Sequence, residues 1–441
     1  MMGKFSVGVG RADITPEVGG PLQGYTPWRN SECINDHLHL TVYLIEQGET
    51  RVILAAADLV SIPTALDRQL RPAMAEIAGT IPQNIILGAT HTHSGPATAC
   101  DADGKCRNPG YFENILLPAA IAATKDAVAN LQPAQMGVGT TESQVGINRR
   151  QLTKDGRIIL GQEPHGLYDP TMTVLSFRTP EGKILGNLVH YGCHNTGSGK
   201  NVEITRDWCG VMIDRMDALT GGITAFVNGC EGDCGPRLAN GKTTGNLQMA
   251  LELGGKAAID GMRAFNSIRE WEDEIDLRVI CETVRLPYGK IASEEAMVKE
   301  LEELGGDPTK LTGEPLIFYN GVKRQLDMLR SGKAAEFEAI GGKDFEISII
   351  AVGPIAFVPL PFETFSGITM RISRHSPFPW TVVMSIANGS GNGYFPTQDQ
   401  LCMGGYEVHN FRFPAGYPLA DNADQHMVTG ALNLLEKLYN E

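Results

Sequence analysis

Short apolar runs alternate with helix-like stretches along this chain, and this alternation most narrows the folds that it can adopt. In the first half, strand patterns at residues 38–45 and 52–57 are followed by a helical pattern at 64–78, a strand at 84–90 and a helix at 114–131. Such an order is typical of a sheet whose faces are covered by helices, because each element buries its apolar face against another. The sequence therefore predicts an α/β fold with a mixed β-sheet core covered by helices.

The same pattern continues to the end of the chain without a linker, a charge block or a fixed-period repeat. Further elements are predicted as strands at 172–177, 184–190, 223–227, 345–352 and 355–360, and as helices at 209–219, 294–304, 319–329 and 424–438. The charged, helix-forming stretches at about 290–343 predict a helical insertion or lid before the last strands. We therefore expect residues 1–441 to form a single catalytic domain that carries this insertion.

Acidic residues outnumber basic residues, which excludes some classes of partner. The chain has 441 residues, with 51 Asp and Glu against 37 Lys and Arg, and a formal net charge of −14. This balance repels phosphate backbones, so nucleic acid is not an expected partner. The N-terminal segment lacks the apolar run and cleavage site of a secretory signal, and no segment has the length of a membrane span. We therefore expect a cytoplasmic protein without a membrane span.

The chain has nine cysteines, which is an odd number, and their spacing is irregular. This usage favours reduced thiols over a disulfide scaffold. Cys100 and Cys106 flank a small loop and could pair, but we expect a reduced surface loop there.

The strongest chemical signal is a His-Thr-His sequence at the end of an apolar run. Residues 84–90 have the pattern of a buried strand that leads to His91 and His93, and Ser-Gly-Pro follows as a turn. Alternate residues of a strand point the same way, so both imidazoles are predicted to face one side. Two histidines at a strand end can bind a metal, for which imidazole is the commonest ligand, or can form a hydrogen-bonded pair. From the residues alone both interpretations stay open.

Three further side chains lie just after predicted strands or in a glycine-rich loop. His194 begins the loop after the strand at 184–190, and Glu363 follows a later apolar run. A buried carboxylate there needs a cation or several donors, although a carboxylate at a helix start is a common alternative. Tyr394 lies in the loop GSGNGY, where glycines permit close approach to a site. We interpret the neighbouring His190 as a buried histidine that is hydrogen-bonded to backbone.

A second glycine-rich segment, residues 228–236 (NGCEGDCGP), follows the strand at 223–227. Its backbone N–H groups could bind an anion or an oxyanion. Asp233 within it is equally well explained as a turn residue. The segment lacks the lysine and the hydroxyl residue of a phosphate-binding loop, so it is not predicted to be one.

Taken together and in this order, these segments resemble the catalytic domain of the neutral (non-lysosomal) ceramidase family, a group of zinc-dependent amide hydrolases. The resemblance is carried by residues 10–16 (GRADITP), 24–25 (GY), 90–96 (THTHSGP), 148–149 (NR), 168–175 (YDPTMTVL), 191–196 (YGCHNT), 229–236 (GCEGDCGP), 360–367 (LPFETFSG) and 394–397 (YFPT). It therefore spans nearly the whole chain, and we expect the catalytic domain without the C-terminal immunoglobulin-like domain of the ceramidases.

The resemblance implies one zinc ion per chain, bound by His91, His194, Glu363 and Tyr394. Two imidazoles and one carboxylate would leave the zinc its Lewis acidity. The chain departs from the family pattern with Asn195 in place of proline, His190 in place of asparagine and Gly235 in place of serine. A serine nucleophile is therefore not available at residue 235.

The implied reaction is hydrolysis of the amide bond of a small N-acyl amine or ceramide-like substrate by a metal-activated water. In this mechanism His93 steadies the oxyanion or moves a proton, and Tyr394 stabilises the tetrahedral intermediate. Arg149 orients a carbonyl or carboxylate of the substrate, with a surface salt bridge as its alternative role. Asn148 and Asp233 complete the predicted substrate-binding set.

Two other functions stay open. Metal-activated water also cleaves esters, lactones and phosphoesters, so the bond that is broken could be another one. A non-catalytic relative that keeps the metal is the second alternative, for which Gly235 is the only hint. A cysteine nucleophile, Cys193 beside His194, has little support because adjacent strand residues point to opposite faces.

Overall fold

Three mixed β-sheets form the framework of the computed structural model, which describes residues 2–100 and 105–441. Each sheet contains an antiparallel hairpin, then a helix, then a strand that pairs in parallel with the second hairpin strand. A parallel return requires a crossover connection, which the helix provides. The structure confirms the predicted α/β fold of mixed sheets covered by helices.

Neighbouring strands of each sheet are hydrogen-bonded in the following spatial order. The first sheet contains Gln132–Pro133, Ser6–Asp13, His39–Gln47, Thr50–Ala57 and Ile85–Ala89. The second contains Gln135–Glu142, Thr171–Arg178, Ile184–Tyr191 and Ile223–Asn228. The third contains Leu277–Pro287, Gly342–Val352, Ile355–Pro359 and Trp380–Met384. Short strands pair outside these sheets as Gly3–Lys4 with Glu274–Ile275, Pro21–Gln23 with Arg29–Asn30 and Gly95–Pro96, Cys33–Ile34 with Glu203–Ile204, Gly146–Asn148 with Cys234–Pro236, Arg150–Leu152 with Ile158–Leu160, and Glu363–Thr364 with Tyr394–Phe395.

Within the described residues, the helices are Thr64–Ala78, Pro109–Tyr111 continued by Phe112–Leu116 and Leu117–Ala129, Asp207–Thr220, Leu247–Asn266, Glu294–Glu303, Glu314–Arg330, Lys333–Ile340, Ser366–His375, Tyr406–Arg412 and Ala423–Asn440. Single 3₁₀ turns are formed by Pro82–Asn84, Pro308–Lys310 and Gln398–Met403.

One apolar cluster joins all three sheets. It includes Val52 of the first sheet, Leu188 of the second and Phe357 of the third, all of them buried. Removal of such apolar surface from water is the main favourable contribution to folding. The shared cluster fixes the sheets relative to one another, so the loops that follow their strands keep a constant geometry.

A polar contact also links the first two sheets. Tyr43 is fully buried, and its hydroxyl lies 2.8 Å from the carbonyl oxygen of Asn187 and contacts that of Ile223. A buried phenol needs a partner of this kind, because an unpaired hydroxyl in the core is unfavourable. Tyr43 therefore ties the central strand of the first sheet to two strands of the second.

Helix Leu247–Asn266 is an element that the sequence does not predict, because interior glycines weaken its helical pattern. The structure gives the reason for one of them. A Cβ atom at Gly254 would lie 2.4 Å from the carbonyl oxygen of Trp208, so the helix packs closely against helix Asp207–Thr220. A requirement of tertiary packing thus overrides the local preference.

Other elements match or extend the prediction. Helix Thr64–Ala78 has the predicted bounds. Strand Leu277–Pro287, helix Ser366–His375 and strand Trp380–Met384 are additional. The last two complete the crossover of the third sheet, so that sheet repeats the connection of the other two.

The region predicted as an insertion is helical. Glu294–Glu303, Glu314–Arg330 and Lys333–Ile340 are helices, and Met297, Val322 and Leu326 form a small core of their own. The action of this region as a lid, and the division of the chain into one domain with an insertion, stay predictions.

The expectation of reduced thiols is wrong for one pair. Cys100 and Cys106 form a disulfide, because an antiparallel bridge between these two residues brings their Cα atoms to 3.9 Å. The cysteines of the described chain outside this pair carry free thiols, as expected. In the same described ranges no helix has the length and apolar character needed to cross a membrane.

Replacing Tyr43 with phenylalanine should lower the free energy of unfolding by about 1–3 kcal/mol, because the carbonyl oxygens of Asn187 and Ile223 lose their buried donor. A urea titration of both proteins measures the difference. Tyr439→Phe, at an exposed position near the chain end, is the matched control and should change stability by less than about 0.5 kcal/mol. Equal stability of Tyr43→Phe and the native protein would contradict this role.

Candidate metal centre

Loops that follow strands of all three sheets meet at one place. His91 lies shortly after the last strand of the first sheet, and His194 follows a strand of the second. Glu363 follows a strand of the third sheet, and Glu231 follows the last strand of the second. The carboxyl ends of strands are where α/β proteins commonly bind ligands.

The backbone at His91 differs from the sequence prediction. The strand ends at Ala89, and His91 has a left-handed conformation with φ of 69°. The prediction that His91 and His93 share one face of a strand is therefore wrong. The two rings meet all the same, with their Nε2 atoms 3.2 Å apart. A positive φ is uncommon for any residue other than glycine, and residues with this conformation cluster at functional sites.

His91, His93 and His194 each have Nδ1 within hydrogen-bond distance of a backbone carbonyl oxygen. The partners are, in that order, Val60 at 2.7 Å, Gly24 at 2.9 Å and Glu231 at 2.8 Å. A carbonyl oxygen only accepts, so Nδ1 of each ring carries the hydrogen and Nε2 keeps its lone pair. Metal-binding histidines are held in this way, with one ring nitrogen bonded to the protein and the other directed to the ion.

The Glu363 carboxylate completes the cluster. Its Oε2 atom lies 3.5 Å from His91 Nε2 and 3.3 Å from His194 Nε2. Neither this oxygen nor His194 Nε2 has a hydrogen-bond partner of acceptable geometry in the described part of the chain, and both atoms are buried. Ligand atoms about 2.0–2.1 Å from a tetrahedral zinc are about 3.4 Å apart. The orphaned atoms and their spacing therefore fit a metal ion.

Electrostatics within the cluster favour the charged form of Glu363. Burial by itself raises the pKa of this carboxyl group, but the neighbouring His91 and His194 outweigh that effect and hold the pKa well below its usual value. For His194, burial and the positive charge of nearby Arg149 lower the pKa of the imidazole to about 3, which favours its neutral form. Burial also lowers the pKa of His91, but Glu363 and Glu231 outweigh burial and raise it. Metals bind ionised carboxylates and neutral imidazoles, so a metal at this centre would compete with a proton at His91.

Tyr394 lies next to Glu363 because their short strands pair in parallel. Its ring is nearly parallel to that of His194, with centroids 6.4 Å apart. Burial raises the pKa of the Tyr394 phenol well above its usual value, although nearby Arg149 opposes this shift. The tyrosine predicted from the family pattern is thus beside the cluster.

Arg149 is buried, which makes its alternative as a surface salt bridge wrong. Its Nε donates to Glu407 at 2.8 Å, and Arg150 donates to the other oxygen of the same carboxylate at 2.8 Å. The guanidinium carbon is 5.3 Å from the centre of the Tyr394 ring. One Arg149 nitrogen, Nη2, is buried and has no partner among residues 2–100 and 105–441. This nitrogen can donate to a bound molecule.

The Asn148 and Asp233 side chains are engaged within the fold. Asn148 donates to the Leu167 carbonyl at 2.7 Å, and its oxygen accepts from the Arg150 amide. Asp233 accepts from the backbone and hydroxyl of Ser366 at 2.7 and 2.8 Å, at the start of helix Ser366–His375. Both therefore brace the loops around the centre, and their role in substrate binding stays a prediction.

The predicted buried role of His190 is confirmed, since its Nε2 lies 3.1 Å from the Val383 carbonyl oxygen. Glu231 is the residue that the sequence interpretation missed. It is fully buried, and its carboxylate lies with His91 and Glu363 in a group whose ligand atoms are all within 4.8 Å of one another. The signal was present, because Glu231, like Glu363, comes just after a predicted strand.

The loop that carries Glu231 lies directly against the segment of Glu363. A Cβ atom at Gly232 would be 2.5 Å from the Glu363 carbonyl oxygen, so only glycine permits this approach. The Gly232 amide also donates to the Thr364 carbonyl at 2.8 Å. The glycine-rich segment therefore serves close packing of two loops of the centre.

The fold and this cluster define a mixed α/β protein with a histidine and carboxylate centre at its strand ends. Residues 5–249 match the family model for neutral/alkaline non-lysosomal ceramidase, N-terminal. The chain therefore belongs to the neutral/alkaline non-lysosomal ceramidase family.

Individual relatives are similar over different lengths. The neutral ceramidase of Pseudomonas aeruginosa is 29% identical over 206 residues, which are 44% of this chain but only 30% of that relative. Two solved structures, a ceramidase complexed with C2 and the neutral ceramidase from Pseudomonas aeruginosa, both superpose with a TM-score of 0.72. Their identities are 19% and 20%, and the superpositions cover 99% of this chain and 76% and 75% of those chains. The structures therefore share the fold.

Replacing His194 with alanine should remove most of the bound metal, because this fully buried ring directs an unpartnered Nε2 at Glu363. His93→Ala should keep most of it, since His93 is only half-buried and, unlike His91 and His194, forms no ion pair with Glu363 among the described residues. Elemental analysis of protein purified without chelators measures both. Equal metal loss in the two variants would contradict these different roles of His194 and His93 and would make His93 a ligand.

Proposed function

We propose that this protein is a zinc-dependent hydrolase that cleaves the amide bond of a small N-acyl amine or a ceramide-like lipid. The observation that carries the proposal is the donor set at the strand ends, in which Glu363 Oε2 lies 3.5 Å from His91 Nε2 and 3.3 Å from His194 Nε2. Membership of the ceramidase family supports an amide as the bond that is broken.

His91, His194, Glu363 and Tyr394 would hold one zinc ion per chain. Imidazole-rich donor sets suit zinc, although affinity alone does not decide which metal a cell supplies. When bound, zinc would lower the pKa of a water molecule and polarise the carbonyl group of the substrate.

The nucleophile in this proposal is water, because the chain offers no suitable side chain at the expected positions. A Cβ atom at Gly235 would lie 2.7 Å from the Thr243 Cβ, so a serine does not fit there without movement of that side chain. Cys193 is fully buried, and burial raises the pKa of its thiol well above the usual value. A thiol of this kind is inert.

Two side chains are placed to assist. The Nδ1 of His93 is held by the Gly24 carbonyl, so its Nε2 can accept a proton or, once protonated, donate to an oxyanion. Arg149 has a buried Nη2 without a partner in the described ranges, and this nitrogen would donate to the substrate carbonyl. Their fixed positions would orient the substrate before reaction.

An aromatic cavity supports a substrate with an apolar chain. Its volume is about 220 Å³, and it lies beside Tyr394. Phe345, Phe362, Phe411 and Tyr417 are among its lining residues. Side chains of this kind bind apolar groups through burial of surface, and Lys343 and Asn392 of the same lining can contact a polar group, so the cavity suits an acyl amine with both an apolar chain and polar atoms.

Hydrolysis of an N-acyl amide with a fluorescent amine should fall at least about 100-fold after dialysis against a chelator, because the metal supplies several kcal/mol of transition-state stabilisation. Added zinc should restore the rate. A panel with the matching ester, a lactone and a phosphoester is run in parallel. Cleavage of one of these with the amide left intact would favour the alternative bond, and no cleavage by metal-loaded protein would favour a non-catalytic relative.

Arg149→Lys should lower kcat/KM for the amide by about 10-fold or more while the metal content stays unchanged. The reason is that the single ammonium of lysine lacks the rigid fork with which Arg149 donates to Glu407 through Nε while Nη2 stays available, and a hydrogen bond from a charged group contributes about 1.5–3 kcal/mol. Arg285→Lys, at an exposed ion pair with Asp344, is the control and should behave as the native protein. An unchanged kcat/KM in Arg149→Lys would remove Arg149 from the substrate site.

A further inference from the structure

Glu231 is a buried acidic residue that neither the family pattern nor the proposed ligand set uses. Its side chain is fully buried, and both carboxylate oxygens lack a hydrogen-bond partner of acceptable geometry among the described residues. Burial of an ionised carboxylate without donors or a cation is strongly unfavourable. The ionised form of Glu231 is therefore stable here only beside a cation.

The surroundings of Glu231 point to the kind of partner. Glu231, His91 and Glu363 form one group, in which one ligand atom of each residue lies within 4.8 Å of the others. A second group, His91, His93 and His194, has the same spacing and shares His91. Two carboxylates and three imidazoles therefore surround one small volume, and a divalent cation is the species that would stabilise both acids.

The protein groups nearby do not balance both acids. Arg149 and Arg150 pair with Glu407 at 2.8 Å rather than with Glu231 or Glu363. Burial lowers the pKa of His91, but Glu363 and Glu231 outweigh burial and raise it, so a protonated His91 supplies at most one positive charge for two carboxylates. The Ser385 hydroxyl lies near Glu231 and can donate one hydrogen bond. A single hydroxyl can serve only one of the two oxygens, and it does not balance a charge.

We propose that Glu231 is a carboxylate ligand of the metal ion at this centre, alongside Glu363 and with His91 between them. This inference rests on the proposed metal centre and extends its donor set to two carboxylates. One divalent cation would balance both acids, so the loaded site would be electrically neutral. Two anionic ligands make the ion a weaker Lewis acid than one carboxylate would, and they hold it more tightly.

The test is the affinity of the full-length protein for zinc, measured after removal of metal with a chelator and by competition with a chromogenic chelator. Glu231→Gln keeps the shape of the side chain and removes its charge. Its dissociation constant for zinc should rise at least about 10-fold, the lower end of the effect of changing residues around a metal site. Asp424→Asn is the matched control, because Asp424 is a buried carboxylate that is already paired with Arg371 at 2.6 Å, and its zinc affinity should equal that of the native protein.

Thermal unfolding gives a readout that is independent of activity. Without metal, Glu231→Gln should melt at the same temperature as the native protein or higher, because it removes a buried acid whose ionised form is unfavourable there. Addition of zinc should raise its melting temperature less than that of the native protein. Glu231→Asp, which keeps the charge but shortens the reach, should also bind zinc more weakly, and it replaces Glu231→Gln in the test if that variant does not fold.

Native zinc affinity in both Glu231 variants would overturn the inference and leave the proposed function intact. Metal-loaded native protein that cleaves no amide would overturn the proposed function alone, as long as Glu231→Gln still weakens zinc binding.

Discussion

Two carboxylates, the fully buried Glu231 and the partly exposed Glu363, lie beside three imidazoles at the point where the three sheets end, and the rest of the site is arranged around them. Backbone carbonyl groups hold each imidazole by Nδ1, which leaves every Nε2 directed into the cluster. Arg149 and Arg150 next to the cluster share the single carboxylate of Glu407. Concentrated acceptor atoms of this kind destabilise a fold unless a cation joins them. The proposed metal ion would supply that cation.

The scaffold explains how side chains so far apart in the sequence keep ångström-level spacing. Each sheet repeats a hairpin, a crossover helix and a parallel strand, and each delivers a loop to the same region. The apolar cluster that contains Val52, Leu188 and Phe357 joins the sheets, and the buried hydroxyl of Tyr43 adds a polar link. Because packed interiors are rigid, the loops inherit a fixed geometry. A metal site needs this, since its ligand atoms must be placed to within a few tenths of an ångström.

Gly235, which stands where the family pattern has serine, bears on which group can act as the nucleophile. The space next to residue 235 is filled by the Thr243 side chain, so the hydroxyl group that the family pattern carries there has no direct counterpart at this position. The histidine and carboxylate cluster, in contrast, is complete. These two features are the reason that the proposed function assigns the nucleophile to water at a metal centre and not to a side chain at residue 235.

The sequence by itself determined the α/β class and the bounds of helix Thr64–Ala78, because periodicity and turn residues are local properties. Its resemblance to the ceramidase family implied His91, His194, Glu363 and Tyr394 as candidate ligands. It did not give the left-handed backbone at His91, the helix Leu247–Asn266 or the Cys100–Cys106 disulfide. It also passed over Glu231, whose importance lies in its lack of partners within the described chain and in its distance from His91 and Glu363. Only the tertiary structure decided these features, because they depend on close contacts between loops and helices that lie far apart in the sequence.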